Sequence, residues 1–314
     1  MNPTYRISIS VIALMSSSIA LATPSRVAGL AGNQGFTDDT DFMVYPTEVS
    51  ELGQSAWFHY DGDYTGAVTW DGNAVVAGVG PSGGWDMSWT NSHGSTAYGV
   101  SAAYLPVAND MISIGGSWGT ADRGDGLSNL AVGGNLSVAT VDDDTMLDLS
   151  MGATSRYIGD SDFSSWGAGV GFSKAGDATD VSVAGQYFMG PRMGDDQASV
   201  ALSVGTMAMV DAGLGDDGAT NLYLALPASN IAGEFAFNDW LMVRGSVVAA
   251  VMINHDGEDL SSAAMISGSA GLGFSGDSGV VDITLNPDWA LAGPHFLTGN
   301  VSGMAGMITA RFEI

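Results

Sequence analysis

Cysteine is absent from the 314-residue chain, and positive charge is scarce, with 8 Lys and Arg against 34 Asp and Glu. The lack of cysteine excludes disulfides, thiolate metal sites and cysteine nucleophiles. The formal net charge of −26 argues against a nucleic-acid partner, because binding phosphates requires cations. Hydrophobic residues nevertheless make up 46% of the chain, which is too many for a disordered acidic protein.

Long hydrophobic runs are also missing, with one exception at the start of the chain. Residues 1–22 combine Arg6, an apolar stretch, and Ala20, Leu21 and Ala22 at a small-x-small cleavage position. We interpret them as a cleaved signal peptide. The alternative is an N-terminal membrane anchor, but the apolar stretch is short and contains three consecutive serines.

Glycine is abundant, at 45 residues, and most of the chain alternates in steps of two. In "LAVGGNLSVAT", for example, Leu130, Val132, Leu136 and Val138 share one face, while small and polar residues share the other. Turns rich in Asp, Gly and Asn separate such stretches from about residue 54 onward. A period of two over so many segments predicts antiparallel β-strands.

Two architectures show this alternation, namely a soluble sandwich and a membrane barrel with its apolar face turned outward. The polar face is composed of Ser, Gly, Asn, Asp and Ala with almost no Lys, unlike a typical soluble surface. Aromatic residues near strand ends fit the girdles of a membrane barrel, namely Trp57, Tyr60, Trp70, Trp118, Tyr157, Tyr187 and Trp240. We therefore predict an all-β, closed antiparallel transmembrane barrel of about 14 strands (12–16) over residues 54–314.

Interruptions in the pattern occur at two places within the predicted strands. Pro227 and the turn-like "WDGN" (residues 70–73) coincide with shifts of apolar parity, as at a bulge. Residues 80–95 could hold a further short hairpin.

The chain ends in "MITARFEI", where Ile308, Ala310, Phe312 and Ile314 alternate with polar residues. A membrane barrel must pair its last strand with its first, because an open edge in lipid leaves backbone groups without partners. The ending resembles the C-terminal assembly signal of Gram-negative outer-membrane proteins, except that Ile rather than Phe is terminal. This resemblance implies recognition by the barrel assembly machinery and a place in the cell outer membrane.

Residues 23–53 lack the alternation. Pro46 precedes Thr-Glu-Val-Ser-Glu, which predicts a short helix with Pro in its first turn. We expect this segment to fold into the lumen as a plug, because its apolar residues need cover; the alternative is a free periplasmic segment.

Candidate functional residues concentrate on the predicted inner face. Glu234 and Arg244 flank a turn at Asn238 and Asp239, which places them opposite each other as a cross-strand ion pair. Such a pair either fills the lumen and fixes the strand register or lines a solute path. The remaining candidate lumen residues are Arg156, Arg311, Asp148, Asp180 and Asp282, and an acidic lumen of this kind would favour cations in an open pore.

No catalytic or cofactor site is indicated. The four histidines, His59, His93, His255 and His295, have no partners at metal-ligand spacing, and we expect no enzymatic activity. The acidic loops are explained by the turn preference of Asp and Gly. The alternative is that they bind divalent cations loosely and bridge them to lipopolysaccharide phosphates.

Two further stretches are informative, namely "FMVYPTEVSELG" before the first strand and the late "AGLGFSGDSGVVDITLN" with Asp282. With these stretches, the layout resembles the long-chain fatty-acid transporter (FadL)-like superfamily of 14-stranded barrels, including PorV-type secretion barrels. This resemblance implies a barrel that carries small or hydrophobic molecules. We expect a porin-like or passive transport role for small solutes. The alternatives are a structural or surface barrel with a filled lumen, and a FadL-like transporter of hydrophobic compounds.

Overall fold

In a computed structural model, the chain forms a closed antiparallel barrel of 16 strands. The structure describes residues 33–36, 41–60, 63–80, 83–106, 110–141, 144–195, 197–214, 220–255, 259–285 and 305–314. The predicted signal peptide and His295 lie outside these ranges. Within the described ranges no helix is long and apolar enough to cross a membrane.

The first eight strands are β1 (Ser55–Tyr60), β2 (Tyr64–Trp70), β3 (Asn73–Val79), β4 (Trp85–His93), β5 (Thr96–Leu105), β6 (Met111–Asp122), β7 (Leu127–Val141) and β8 (Asp144–Ile158). The second eight are β9 (Asp162–Ala175), β10 (Ala178–Gly194), β11 (Ala198–Gly213), β12 (Thr220–Asn238), β13 (Leu241–His255), β14 (Leu260–Gly276), β15 (Gly279–Leu285) and β16 (Ala305–Glu313). Each strand pairs with its sequence neighbours, so the predicted fold class is confirmed.

The two strands beyond 14 come from the places where the alternation breaks. The stretch that reads as one strand over 65–79 is the hairpin β2–β3, and residues 85–93 form β4. Asp71 (φ 43°) and Gly72 (φ 74°) form the two-residue turn, and positive φ at both positions is typical of tight hairpins. The break at Pro227 is a bulge, as predicted, because the register shifts between Ala225 and Ala228.

Pairing of β1 with β16 closes the barrel, as the C-terminal alternation predicts. The register runs from Ser55 opposite Glu313 to Tyr60 opposite Ile308. Beyond it, the Ile314 N–H donates to the Gln54 carbonyl at 3.0 Å. The backbone groups of the first and last strands thereby have hydrogen-bond partners.

The barrel exposes its large hydrophobic side chains on the outer face and turns small and polar ones inward. Examples of exposed outward residues are Val100, Ile112, Met151, Val183 and Phe235, and their register neighbours keep the same face around the barrel. Trp57 is an exception to the predicted aromatic girdle. It points inward and is 6% exposed, because Phe42 of the N-terminal segment packs on it at 6.5 Å between ring centroids.

The N-terminal segment, here residues 33–36 and 41–52, lies against the inner face of the barrel. It contains two short 3₁₀ helices, Asp41–Met43 and Pro46–Glu51, the second with Pro in its first turn as predicted. We call the end of the barrel where β1 begins and β16 ends the terminal end, and the opposite end the far end.

Candidate functional site: the barrel interior

The strand pairing decides which charged residues share the interior. All seven candidate lumen residues belong to the inward set, because each is in register with buried or inward-facing partners on both sides. They do not form one cluster, however. Glu234, Arg244 and Asp282 come together, whereas Asp148 and Asp180 lie near the far end.

Arg244 joins two carboxylates on different strands. It is the register partner of Glu234, and its Nε lies 2.7 Å from Glu234 Oε2, so the predicted cross-strand ion pair is present. Its Nη1 also contacts Asp282 Oδ1 on β15, two strands away. The side chains of Arg244, Glu234 and Asp282 are only 5%, 9% and 14% exposed. This network is therefore packed within the half of the barrel nearer the terminal end, called the terminal half; the other half is the far half.

Arg156 holds the N-terminal segment against the wall. Its Nη2 lies 2.7 Å from Asp41 Oδ2, and the two side chains are 2% and 9% exposed. The guanidinium also lies over the Tyr45 ring, 4.6 Å from the centroid. Burial raises the pKa of the Tyr45 phenol, so its hydroxyl stays neutral opposite Thr154 Oγ1 at 3.3 Å.

The second 3₁₀ helix is fixed by polar contacts to β7. Glu48 Oε1 accepts a hydrogen bond from Asn129 Nδ2 at 2.7 Å, and Thr47 Oγ1 donates to Asn129 Oδ1 at 3.3 Å. Asn129 is 1% exposed, so these bonds satisfy an amide that has no access to water.

Apolar contacts anchor the same segment on two sides of the barrel. Phe42, Val49 and Leu52 pack with wall residues of β1 to β3. Across the lumen, Phe36 packs with Phe163 and Ala201, and Asn33 Nδ2 donates to the Ala201 carbonyl at 3.1 Å. The segment therefore bridges opposite walls of the terminal half.

At the seam, His59 Nδ1 lies 2.8 Å from Thr309 Oγ1, so the inner faces of β1 and β16 are joined by side chains as well as by backbone. Arg311, in the same inward row of β16, is the register partner of Trp57. It lies near the terminal end of the seam.

The far half carries inward carboxylates. Asp148 is hydrogen-bonded by Ser173 on β9, and Ser173 is also the register partner of Asp180 on β10. Sequence reasoning missed two further members, Asp211 and Asp86. Asp211 could have been found by extending the alternation of β11 one step beyond residue 210, whereas Asp86 lies in a hairpin that the sequence left unassigned.

A patch of apolar side chains on the inner face of β10–β14 was also missed. Phe188 and Met207 pack on Ala225, Ala228 and Ala250. Met252 and Met265 continue the patch and are 38% and 46% exposed. Methionine alternates with small residues at these positions, which is the signal that the sequence offered.

In the part of the chain that the structure describes, no group of three or more His, Cys, Asp or Glu side chains could hold a metal ion.

No protein-family model matches the chain, and no curated protein matches it. A solved structure described as "Bacterial polysaccharide outer membrane secretin" aligns with a TM-score of 0.47 at 11% sequence identity. The alignment covers 83% of this chain and 96% of that chain. At this TM-score and identity it supports neither a family nor a function. The 16 strands also depart from the 14 that the FadL-like resemblance implies.

Proposed function

We propose that the chain is an outer-membrane barrel that gives small solutes a passive, porin-like path, narrowed at the terminal end by the N-terminal segment. The membrane location is supported by the outer face, where exposed Val, Leu, Ile, Met and aromatic residues surround a closed sheet. A soluble protein rarely exposes so continuous an apolar surface. The expected surroundings are outer-membrane lipid and lipopolysaccharide, and the proposal assigns the chain no catalytic step.

One observation supports the transport role, namely the composition of the inner wall between the N-terminal segment and the far end. Inward positions of β6 and β7 are Ser113, Gly115, Ser117, Gly133 and Asn135, and these remain partly exposed. A barrel of 16 strands is in the size range that leaves an aqueous channel. Small polar side chains on such a wall leave room for water and hydrated solutes.

Two other functions each have an observation in their favour. A filled, non-transporting barrel is favoured by the buried Arg156–Asp41 pair and the apolar clusters that fix the N-terminal segment in the lumen. A transporter of hydrophobic compounds is favoured by the inward patch that includes Met252 and Met265.

Conductance of the folded full-length protein in planar bilayers tests the proposal. We expect stepwise currents with a preference for cations, because the inward carboxylates of the far half attract them. A silent membrane, with folding verified by a heat-modifiable gel band, would instead support the filled barrel. Liposome uptake of a fluorescent fatty acid without ion current would support the hydrophobic transporter.

A double variant tests whether the N-terminal segment is the constriction of the pore. Combining Asp41→Asn with Phe42→Ala weakens both the Arg156–Asp41 ion pair and the apolar packing that holds the segment against the wall. Larger currents in this variant than in the parent protein would identify the segment as the constriction. Glu51→Gln is the matched control, because Glu51 is 54% exposed and its removal leaves the Arg156–Asp41 ion pair and the apolar packing intact.

A further inference from the structure

Asp180 and Asp211 lie side by side on the inner wall near the far end. Asp211 on β11 is the register partner of Ser182 on β10 and of Asn221 on β12. Asp180 precedes Ser182 by two residues, so it occupies the diagonal position next to Asp211 on the same face. The negative charge of Asp180 acts directly on the Asp211 carboxylate. The interior therefore places two carboxylates, one amide and one hydroxyl together.

The Asp211 side chain lies deep in this group. Asp211 is 4% exposed, Ser182 5% and Asn221 9%, whereas Asp180 is half-buried and faces the lumen. Oδ1 of Asp211 is buried and has no hydrogen-bond partner among the described residues. A buried carboxylate oxygen without a donor is costly, and a second carboxylate beside it increases the cost.

The described strands place no cation beside these charges. The inward arginines on the described strands, Arg156, Arg192, Arg244 and Arg311, all lie in the terminal half. Lys174 on β9 is nearer along the barrel, but its parity with Trp166 and Val170 directs it to the outer face. When both carboxylates are ionised, the compensating cation must come from solution.

We propose that Asp180 and Asp211, completed by the side-chain oxygens of Asn221 and Ser182 and by water, form a binding site for a divalent cation of the calcium type. Calcium prefers several oxygen ligands in a flexible arrangement and accepts carboxylate, amide and water oxygens together. The site has only two carboxylates, so its remaining ligands are neutral. Asp180 forms the entrance from the lumen. The inference rests on the inner-wall geometry and not on the proposed transport role, since a filled barrel would bind the ion equally well.

Calorimetric titration of the folded full-length protein in detergent with CaCl₂ tests the site, with NaCl held constant. We expect saturable binding in the weak range of extracellular calcium modules, about 10⁻⁴ to 10⁻³ M. Asp211→Asn and Asp180→Asn should each weaken this binding at least about tenfold, because each removes one of the two charges. Asp86→Asn is the matched control, since it removes an inward carboxylate of the far half that lies on β4, six strands from β10, and it should bind like the parent.

A second readout keeps the test independent of other acidic loops. Without calcium, Asp211→Asn should raise the unfolding temperature, because it relieves the repulsion from Asp180. With calcium, the parent and Asp86→Asn should gain stability while Asp211→Asn gains much less. Calcium binding that is equal in Asp211→Asn and the parent would overturn the proposal, and so would a parent protein that binds none.

Discussion

Arg244 contacts two carboxylates of the inner wall. Removing Arg244 should therefore affect stability more than removing one of its partners. Removing Arg244 leaves both Glu234 and Asp282 buried without this counter-charge, whereas Glu234→Gln leaves Arg244 still in contact with Asp282. Loss of one partner from a buried ion pair costs about 3–5 kcal/mol. We therefore expect Arg244→Met to lower the free energy of unfolding by about that amount, and Glu234→Gln by clearly less.

Equilibrium unfolding in detergent, followed by tryptophan fluorescence, measures both variants. The double variant Arg244→Met, Glu234→Gln should lose less than the sum of the single losses, because the partners interact directly. Additive losses would mean that the contact contributes nothing to stability.

Arg156 acts on the N-terminal segment rather than on the sheet. Its pairing with Asp41 is buried, so Arg156→Met should release the segment and expose residues 41–51 to proteolysis and hydrogen exchange. The barrel itself should keep its β circular dichroism. Lys174→Met is the control, because Lys174 lies on the outer face of β9 near the far end and is remote from the Arg156–Asp41 pair. Equal protection in Arg156→Met and the parent would contradict this role.

At the scale of elements, the sequence predicted the strands well where the alternation was long, as in β7 to β11. It failed where a strand was short, because the hairpin of β2 and β3 with its two-residue turn reads as one strand with a bulge. The sequence favoured the lumen over the periplasm for the N-terminal segment, but it did not indicate which wall residues hold the segment. Its partner Arg156 lies 115 residues from Asp41, and no period in the sequence connects two such positions.

The β2–β3 turn gives a prediction at the same scale. Gly72 has φ 74°, and a Cβ there would lie 3.0 Å from the Ser92 carbonyl oxygen of β4. Gly72→Ala should therefore lower the free energy of unfolding by about 1–3 kcal/mol, the usual cost of a side chain in a left-handed conformation. Gly276→Ala, in the β14–β15 hairpin, is the control, since nothing lies within 4 Å of its added Cβ. The temperature of the gel-mobility shift compares them, and equal shifts would show that the turn is not strained.

The whole molecule separates charge along its axis. Inward arginines lie in the terminal half, two of them paired with buried carboxylates, whereas Asp86, Asp148, Asp180 and Asp211 line the far half. Sequence reasoning identified most of these residues as inward but treated them as one acidic lumen. The separation becomes visible only when strand direction is combined with position, because neighbouring strands run in opposite directions and bring early and late residues to the same height.

This asymmetry gives a prediction for the proposed transport role. A pore whose far mouth is acidic concentrates cations there and not at its terminal end, so currents through oriented barrels should differ between the two voltage polarities. Neutralising Asp148, Asp180 and Asp211 together to Asn should reduce both this rectification and the cation preference, measured as the reversal potential in a salt gradient. Asp195→Asn serves as the control, because Asp195 lies in the exposed turn after β10 and caps it through backbone N–H groups of Gln197 and Ala198. If the triple variant rectified as strongly as the parent, the far-half carboxylates would not face the ion path, and the constriction formed by the N-terminal segment would have to set the selectivity instead.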